Sequence, residues 1–110
     1  MDDSLNRKFA ALADPTRRAI LARLALGEAS VAELSMPFQM SQPAISKHLK
    51  VLETAGLIQA GQAAKARPRR LNIEALRETT AWVDQLRSLW SDSFDRLDEF
   101  LKIATEGPKA

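Results

Sequence analysis

The chain has 110 residues, 45% hydrophobic and 27% charged, which is typical of one soluble domain spanning residues 1–110. It has no cysteine and one histidine, which excludes disulfides and thiolate chemistry and favours a cytoplasmic protein. No apolar run reaches the roughly 18 residues of a membrane span, and the acidic N-terminus is unlike a signal peptide, so we expect no membrane partner.

Positive charge is concentrated in the first two thirds of the chain. Residues 1–73 contain 11 Lys or Arg against 6 Asp or Glu, a net charge of +5, whereas residues 74–110 contain 5 against 8 and carry −3. The first part therefore suits a polyanionic partner, and the second would repel one. Chance explains the asymmetry about equally well, so the positions of the basic residues must decide.

Two helices are predicted at the start of the chain. Residues 1–13 form an amphipathic segment whose apolar side includes Leu5 and Phe9. A second helix follows, because Asp14 is a favourable N-cap residue and Pro15 suits the first helical position.

Two further helices precede a hairpin. Ser30 and Glu33 have the spacing of a capping box, which predicts a third helix that must end before Pro37. Ser41 is the expected N-cap of the fourth helix. The inward side of that helix is predicted to consist of Ile45, Leu49 and Leu52.

A polar stretch over residues 59–70 separates apolar residues at 57–58 from others at 71–73, which predicts a two-stranded hairpin with a loose tip. Pro68 indicates that its second arm is an edge strand. The element order is that of a winged helix-turn-helix. The expected fold class is therefore mainly α, with about five helices, a β-hairpin wing and a long C-terminal helix.

The last helix is predicted over residues 74–104, which contain neither glycine nor proline, and residues 105–110 are expected to fray. Thirty helical residues would measure about 45 Å, more than one small domain can cover. We therefore expect a homodimer formed by residues 1–13 and 74–104, the alternative being a broken helix folded back on the monomer. The predicted interface residues are Leu5, Phe9, Leu86, Trp90, Phe94, Leu97 and Leu101.

The exposed side of the fourth helix carries amide, hydroxyl and ammonium groups, and the helix contains no acid before Glu53. Amides pair with adenine, hydroxyls tolerate either base pair, and lysine contacts guanine or phosphate, so this side suits the DNA major groove. An ordinary solvated face is the alternative. The predicted base-reading residues are Gln42, Ser46 and Lys47, with Ser41 capping the helix and Lys50 contacting phosphate.

The predicted hairpin is also basic, with no acid between Glu53 and Glu74. Cations on such a ribbon can contact the minor groove or its phosphates, although they can also serve to block strand pairing at an exposed edge. The predicted phosphate contacts are Lys65, Arg67, Arg69 and Arg70.

His48 lies between Lys47 and Leu49, where it could contact phosphate or be a partly buried structural residue. A lone histidine is a poor catalyst. The sequence also contains no Gly-rich phosphate loop, nucleophile–base pair or metal cluster, so we expect no enzyme activity.

Taken together, these motifs resemble the ArsR/SmtB family of winged-helix repressors. The resemblance is carried by residues 13–21, 31–34, 40–53 and 55–58 and extends over about residues 5–102. It implies a homodimeric transcriptional regulator that binds an inverted repeat in double-stranded DNA and represses by occluding polymerase. The alternative is a winged helix that binds an acidic protein without sequence-specific DNA binding.

The sequence departs from the metal-sensing members of that family. In some of those members the third helix begins with cysteines, which residues 30–34 lack. In others the terminal helices bind zinc through histidines and carboxylates. We therefore expect no metal and no cofactor, and an effector ligand that is absent or of unknown identity. An effector pocket is less expected than core packing for Trp82, Leu86, Leu89 and Trp90. The terminal helix offers only carboxylates, namely Asp84, Asp92, Asp95, Asp98 and Glu99.

Overall fold

The computed structural model describes residues 3–61 and 67–106, and the chain divides into two compact units between Thr79 and Thr80. The predicted order of elements and the mainly α fold class are confirmed. The helices are α1 (Asp3–Leu12), α2 (Pro15–Leu24), α3 (Val31–Ser35), α4 (Gln42–Thr54) and α5 (Ile73–Glu106), with a 3₁₀ turn at Met36–Phe38. The strands are β1 (Ile58–Ala60) and β2 (Arg69–Leu71).

Side chains cap the helices as the sequence predicts. The carboxylate of Asp14 accepts a hydrogen bond from the backbone N–H of Arg17 at 3.0 Å, and this bond holds the pKa of Asp14 below its ordinary value. Ser30 and Glu33 form the reciprocal capping box, at 3.1 and 3.2 Å. The backbone N–H of Ser30 likewise lowers the pKa of Glu33.

Arginines from α2 close the C-terminal end of α1. Arg17 Nε donates to the carbonyl of Ala11 at 2.7 Å, and Arg18 Nη1 donates to the carbonyl of Leu12 at 2.7 Å. Positive charge at a helix C-terminus offsets the helix dipole and satisfies carbonyls that have no partner within the helix. These two basic residues therefore have a structural use that their charge alone did not reveal.

The core lies within the first unit and is built mainly from the buried sides of α2, α3 and α4, and the side that α4 buries is the predicted one. Burying each of these side chains contributes roughly 1.5–3 kcal/mol of hydrophobic free energy. The largest fully buried side chains are Ile20, Leu34, Ile45, Leu49, Leu52 and Leu57.

The hairpin is held to the helices at its base. Its strands pair antiparallel with Gln59 opposite Arg70, and Arg69 also exchanges two backbone hydrogen bonds with Ala29, at 2.8 and 3.1 Å. Gly61 lies so close to Pro68 that an added Cβ would be 2.9 Å from its ring, so only glycine fits there. The base of the wing is thereby fixed.

One detail of the predicted hairpin is wrong. Ile73, expected in its second arm, is the first residue of α5 and is exposed. The strand ends earlier because the side chain of Asn72 donates to the carbonyl of Gly56 at 2.9 Å and accepts from the N–H of Ala75 at 3.4 Å, which starts the helix.

Lys8 is buried in the first unit, although its place on α1 gave no sign of it. Its ammonium donates to Ser4 Oγ at 2.8 Å and to Glu78 Oε2 at 3.1 Å. These two bonds satisfy a charge that would otherwise be costly to bury.

The second unit, residues 80–110, is described as far as Glu106 and consists of the rest of α5. The helix is unbroken and extends two residues beyond the predicted end at 104, whereas residues 107–110 of the expected frayed tail lie outside the described part. Among the described residues no helix is long and apolar enough to cross a membrane. Large apolar side chains remain about half exposed along it, namely Leu86, Leu89, Trp90, Phe94, Leu97 and Leu101.

Candidate nucleic-acid interface

The first two turns of α4 present polar groups to solvent. Ser41 caps the helix, accepting a hydrogen bond from the N–H of Ala44 at 3.3 Å. Gln42, Ser46 and Lys47 are all exposed, because the opposite side of the helix is anchored in the core. The three residues predicted to contact bases are therefore available to a partner.

Gln42 and Ser46 share a groove with the base of the wing. We call it the α4–wing groove, defined by Ser30, Val31, Ala32, Gln42, Ser46, Arg67 and Arg69. Hydrogen-bonding groups from the first turns of α4 thus lie beside a cationic hairpin. A groove of this composition can offer amide and hydroxyl groups to base edges and guanidinium groups to phosphates.

Arg69 does not present a free cation there, and its predicted phosphate contact, which the ion pair disfavours, stays a prediction. Its Nε lies 2.5 Å from Glu53 Oε1, its Nη1 donates to the carbonyl of Arg67, and its side chain is only 12% exposed. Its strand neighbour Arg70 points to solvent and donates to Gln59 Oε1 at 3.2 Å. Alternation along the strand explains the difference, because Arg69 takes the side that faces α4.

The other wing residues differ in how well the structure defines them. Arg67 is exposed, and its backbone has a left-handed φ of 33°. Lys65 lies outside the described residues, so its predicted phosphate contact stays a prediction.

Lys50 does not line the α4–wing groove. It lines a different groove, between α1 and α4, together with Arg7 and Arg17. The exposed side of α4 therefore has two edges, an amide and hydroxyl edge at the wing and an ammonium edge at α1.

His48 is partly buried, with 21% of its side chain exposed, and its Nδ1 lies 3.9 Å from Asp14 Oδ2. This position, against the N-cap of α2, supports the structural alternative for His48 over the phosphate contact.

Most of the described basic residues in the first unit are engaged within the chain. Ion pairs, carbonyl contacts or a side-chain hydrogen bond occupy Lys8, Arg17, Arg18, Arg23, Arg69, Arg70 and Arg77. Within residues 3–61 and 67–73, the cations without an ion pair or side-chain hydrogen bond are Arg7, Lys47, Lys50 and Arg67. Arg7 was not predicted as functional, because its helix was assigned to dimerisation only.

The described residues contain no group of three or more His, Cys, Asp or Glu side chains placed to hold a metal ion. The carboxylates of α5 that could bind a hard cation are all exposed.

The chain is similar to several transcriptional regulators. A model of the bacterial regulatory protein family arsR matches residues 14–60, which include the capped helices α2 to α4 and β1. The chain is 54% identical over 55 residues to the HTH-type transcriptional regulator Rv2034 of Mycobacterium tuberculosis, and this match spans about half the length of that relative. It is 33% identical over 79 residues to the transcriptional repressor SdpR of Bacillus subtilis, covering 72% of this chain and 88% of SdpR.

Solved structures of regulators share the fold. The crystal structure of an ArsR family transcriptional regulator superposes with a TM-score of 0.73 at 41% identity, covering 80% of this chain and 97% of that one. The homodimeric winged helix-turn-helix DNA-binding domain of a possible ArsR-family regulator from Mycobacterium bovis has a TM-score of 0.65 at 28% identity, covering 78% of this chain and 80% of that one. The chain therefore belongs to the ArsR family of bacterial regulatory proteins, a family of winged-helix transcriptional regulators rather than of enzymes.

Proposed function

We propose that the chain acts as a homodimeric repressor that binds an inverted-repeat operator in double-stranded DNA. The observation that carries this proposal is the α4–wing groove, in which Gln42 and Ser46 on the first turns of α4 lie beside Arg67. Operator binding takes place where the chromosome is, so the proposed location is the cytoplasm.

Base reading is assigned to Gln42, Ser46 and Lys47. All three are exposed, and their helix is fixed from behind by Ile45 and Leu49. A rigid helix holds its donors and acceptors in one register against the base edges, which is the geometry that direct readout requires.

Phosphate contacts are assigned to the cations on either side of the base-reading residues. Lys50 supplies one on the α1 edge of α4, and Arg67 and Arg70 supply others on the wing. Lys65 remains a further predicted contact. Arg69 is left out of this set because Glu53 already neutralises it.

Dimer formation is assigned mainly to α5. Its apolar side chains from Leu86 to Leu101 are about half exposed, and an exposed stripe of this kind marks an interaction surface. The Mycobacterium bovis relative is described as homodimeric. The predicted contribution of Leu5 and Phe9 is compatible with their intermediate exposure. The α4 helices of the two protomers, as recognition helices, would then contact successive major grooves, about 34 Å apart.

The decisive experiment selects bound fragments from a random DNA duplex pool and sequences them. We expect one enriched motif with two-fold symmetry and half-sites about one helical turn apart. A competition titration against random duplex then measures specificity, for which a ratio of at least 10³ is expected. Weak binding without any enriched motif would favour the alternative, a winged helix that binds an acidic protein.

A further inference from the structure

The groove between α1 and α4 is unlike the α4–wing groove in composition. We call it the α1–α4 groove, defined by Arg7, Ala10, Ala11, Arg17, Lys50, Val51, Thr54 and Ala55. All of these residues belong to the first unit, and its volume of about 340 Å³ falls within the range of small-molecule sites.

Part of this groove is apolar. Its lining includes the buried Ala11 and Ala55 and the open side chain of Val51, which is 41% exposed, together with the exposed Ala10 and Thr54. A β-branched apolar side chain left open beside buried alanines gains free energy when a hydrocarbon covers it, at about 25 cal/mol per Å².

The rim of this groove is cationic. Arg7 and Lys50 are exposed and make no ion pair with the described residues. Arg17 is fixed by its bonds to the carbonyls of Ala11 at 2.7 Å and Ala10 at 3.2 Å, which use Nε and Nη2 and leave Nη1 available. No acidic side chain lines the groove. The groove thus complements an anion that also has an apolar part.

We propose that the α1–α4 groove binds an amphipathic organic anion, a carboxylate on a short unbranched hydrocarbon chain. The carboxylate lies between Arg7 and Lys50, and the hydrocarbon lies over Val51 and Ala10. A DNA phosphate at the same place would use the cations and leave the apolar part exposed to water, so the composition favours the organic anion.

Occupancy would also weaken DNA binding, a consequence that rests on the proposed function. A carboxylate paired with Lys50 removes that ammonium from its proposed phosphate contact. Each phosphate contact makes the DNA-binding constant vary with the salt concentration to the power of about −0.9. Losing one contact in each protomer therefore lowers the binding constant about fivefold per protomer near 0.15 M salt.

The binding test uses the full chain labelled with ¹⁵N and titrated with sodium octanoate at constant ionic strength, followed by ¹H–¹⁵N correlation spectra. We expect saturable shifts at the amides of Arg7, Ala10, Val51 and Ala55. Two comparison probes separate the contributions, because 1-octanol carries the chain without the charge and sodium phosphate carries the charge without the chain. We expect octanol to bind at least fivefold more weakly and phosphate to cause no saturable shift in this groove.

Three variants make the assignment specific. Arg7→Gln removes one rim charge and is expected to weaken octanoate binding about fivefold. Val51→Thr puts a hydroxyl in place of a methyl in the apolar part and is expected to weaken it two- to fivefold. Arg77→Gln, at an exposed residue that pairs with Glu74 outside the groove, is the matched control and is expected to change nothing.

Several results would overturn the proposal. One is equal affinity for octanoate and octanol. Another is saturation by phosphate alone, which would indicate a site for the DNA backbone. A third is that octanoate shifts only amides of α5. If octanoate saturates the groove and operator affinity stays unchanged, the regulatory consequence is wrong and the site stands. Because the titration needs no DNA, a chain that binds no operator would refute the proposed function without affecting this result.

Discussion

Arg67 and Arg69 lie two residues apart on the wing, yet their surroundings predict opposite effects on DNA binding. Arg67 is exposed without an ion pair, whereas Arg69 is paired with Glu53 at 2.5 Å. The test compares Arg67→Gln with the double replacement Glu53→Gln, Arg69→Gln. The double replacement removes one positive and one negative charge, so it leaves the net charge of the chain unchanged and leaves no lone carboxylate beside the DNA.

The magnitude follows from counterion release. Each phosphate contact contributes about 0.9 to the slope of log K against log salt concentration, so losing one contact in each protomer changes the slope by about 1.8. We expect Arg67→Gln to reduce the slope by this amount and the double replacement to leave it unchanged. Fluorescence anisotropy of a labelled operator, titrated at four or five KCl concentrations, gives both slopes.

The same pair predicts a loss of stability. Glu53→Gln alone leaves the Arg69 guanidinium, 12% exposed, without its counter-charge. Because Glu53 itself is 28% exposed, the cost falls below the 3–5 kcal/mol of a fully buried pair, and we expect roughly 2 kcal/mol, or about 8 °C in Tm. The double replacement should lose less than the sum of the two single ones. Equal slope changes for both variants, together with an unaltered Tm for Glu53→Gln, would refute the assignment of Arg69 to structure.

Four further outcomes are expected. Gln42→Ala should cost about 1–3 kcal/mol on the selected operator and relax preference at one base pair per half-site, and an equal loss on random duplex would argue against base reading. Leu49→Ala should lower the free energy of unfolding in urea by about 2–5 kcal/mol, because Leu49 is almost fully buried. Asp14→Asn keeps the cap without its charge. Because the pKa of Asp14 is lowered in the folded chain, its carboxylate charge stabilises the fold at pH values above the ordinary pKa of 3.8. The free energy of unfolding in urea should therefore be higher for the original chain than for Asp14→Asn at neutral pH, and this difference should vanish as the pH falls below 3.8. Equimolar Zn²⁺, Cd²⁺ or arsenite should leave operator affinity unchanged, and a tenfold loss, about 1.4 kcal/mol, would reveal a metal site.

The local features of the fold could be predicted because each depends on residues that are close in sequence. Asp14, Ser30 and Ser41 cap their helices through contacts three residues away, and these contacts need no knowledge of the tertiary structure. The inward stripe of α4 follows from helical periodicity alone.

The contacts that the sequence did not reveal join distant residues. Glu53 and Arg69 are 16 positions apart, and Lys8 and Glu78 are 70 apart. Counting basic residues treats every cation as available, whereas in the structure the guanidinium of Arg69 is paired with a carboxylate of another element. Which face of a strand a side chain occupies depends on register, and a hairpin with a long tip leaves the register undetermined.

Arg69 contacts three parts of the chain at once: its backbone bonds to Ala29 between α2 and α3, its strand pairs with β1 at Ala60, and its side chain pairs with Glu53 of α4. Under the proposed function, wing and recognition helix would dock as a single stiff body, and the distance between major-groove and minor-groove contacts within a half-site would be constant. A base pair inserted within a half-site would abolish recognition. A change in the length of the spacer between half-sites would instead require a change of geometry at the dimer interface. Among regulators that share this connection, operators should therefore differ only in the bases inside each half-site and in the length of the spacer between half-sites.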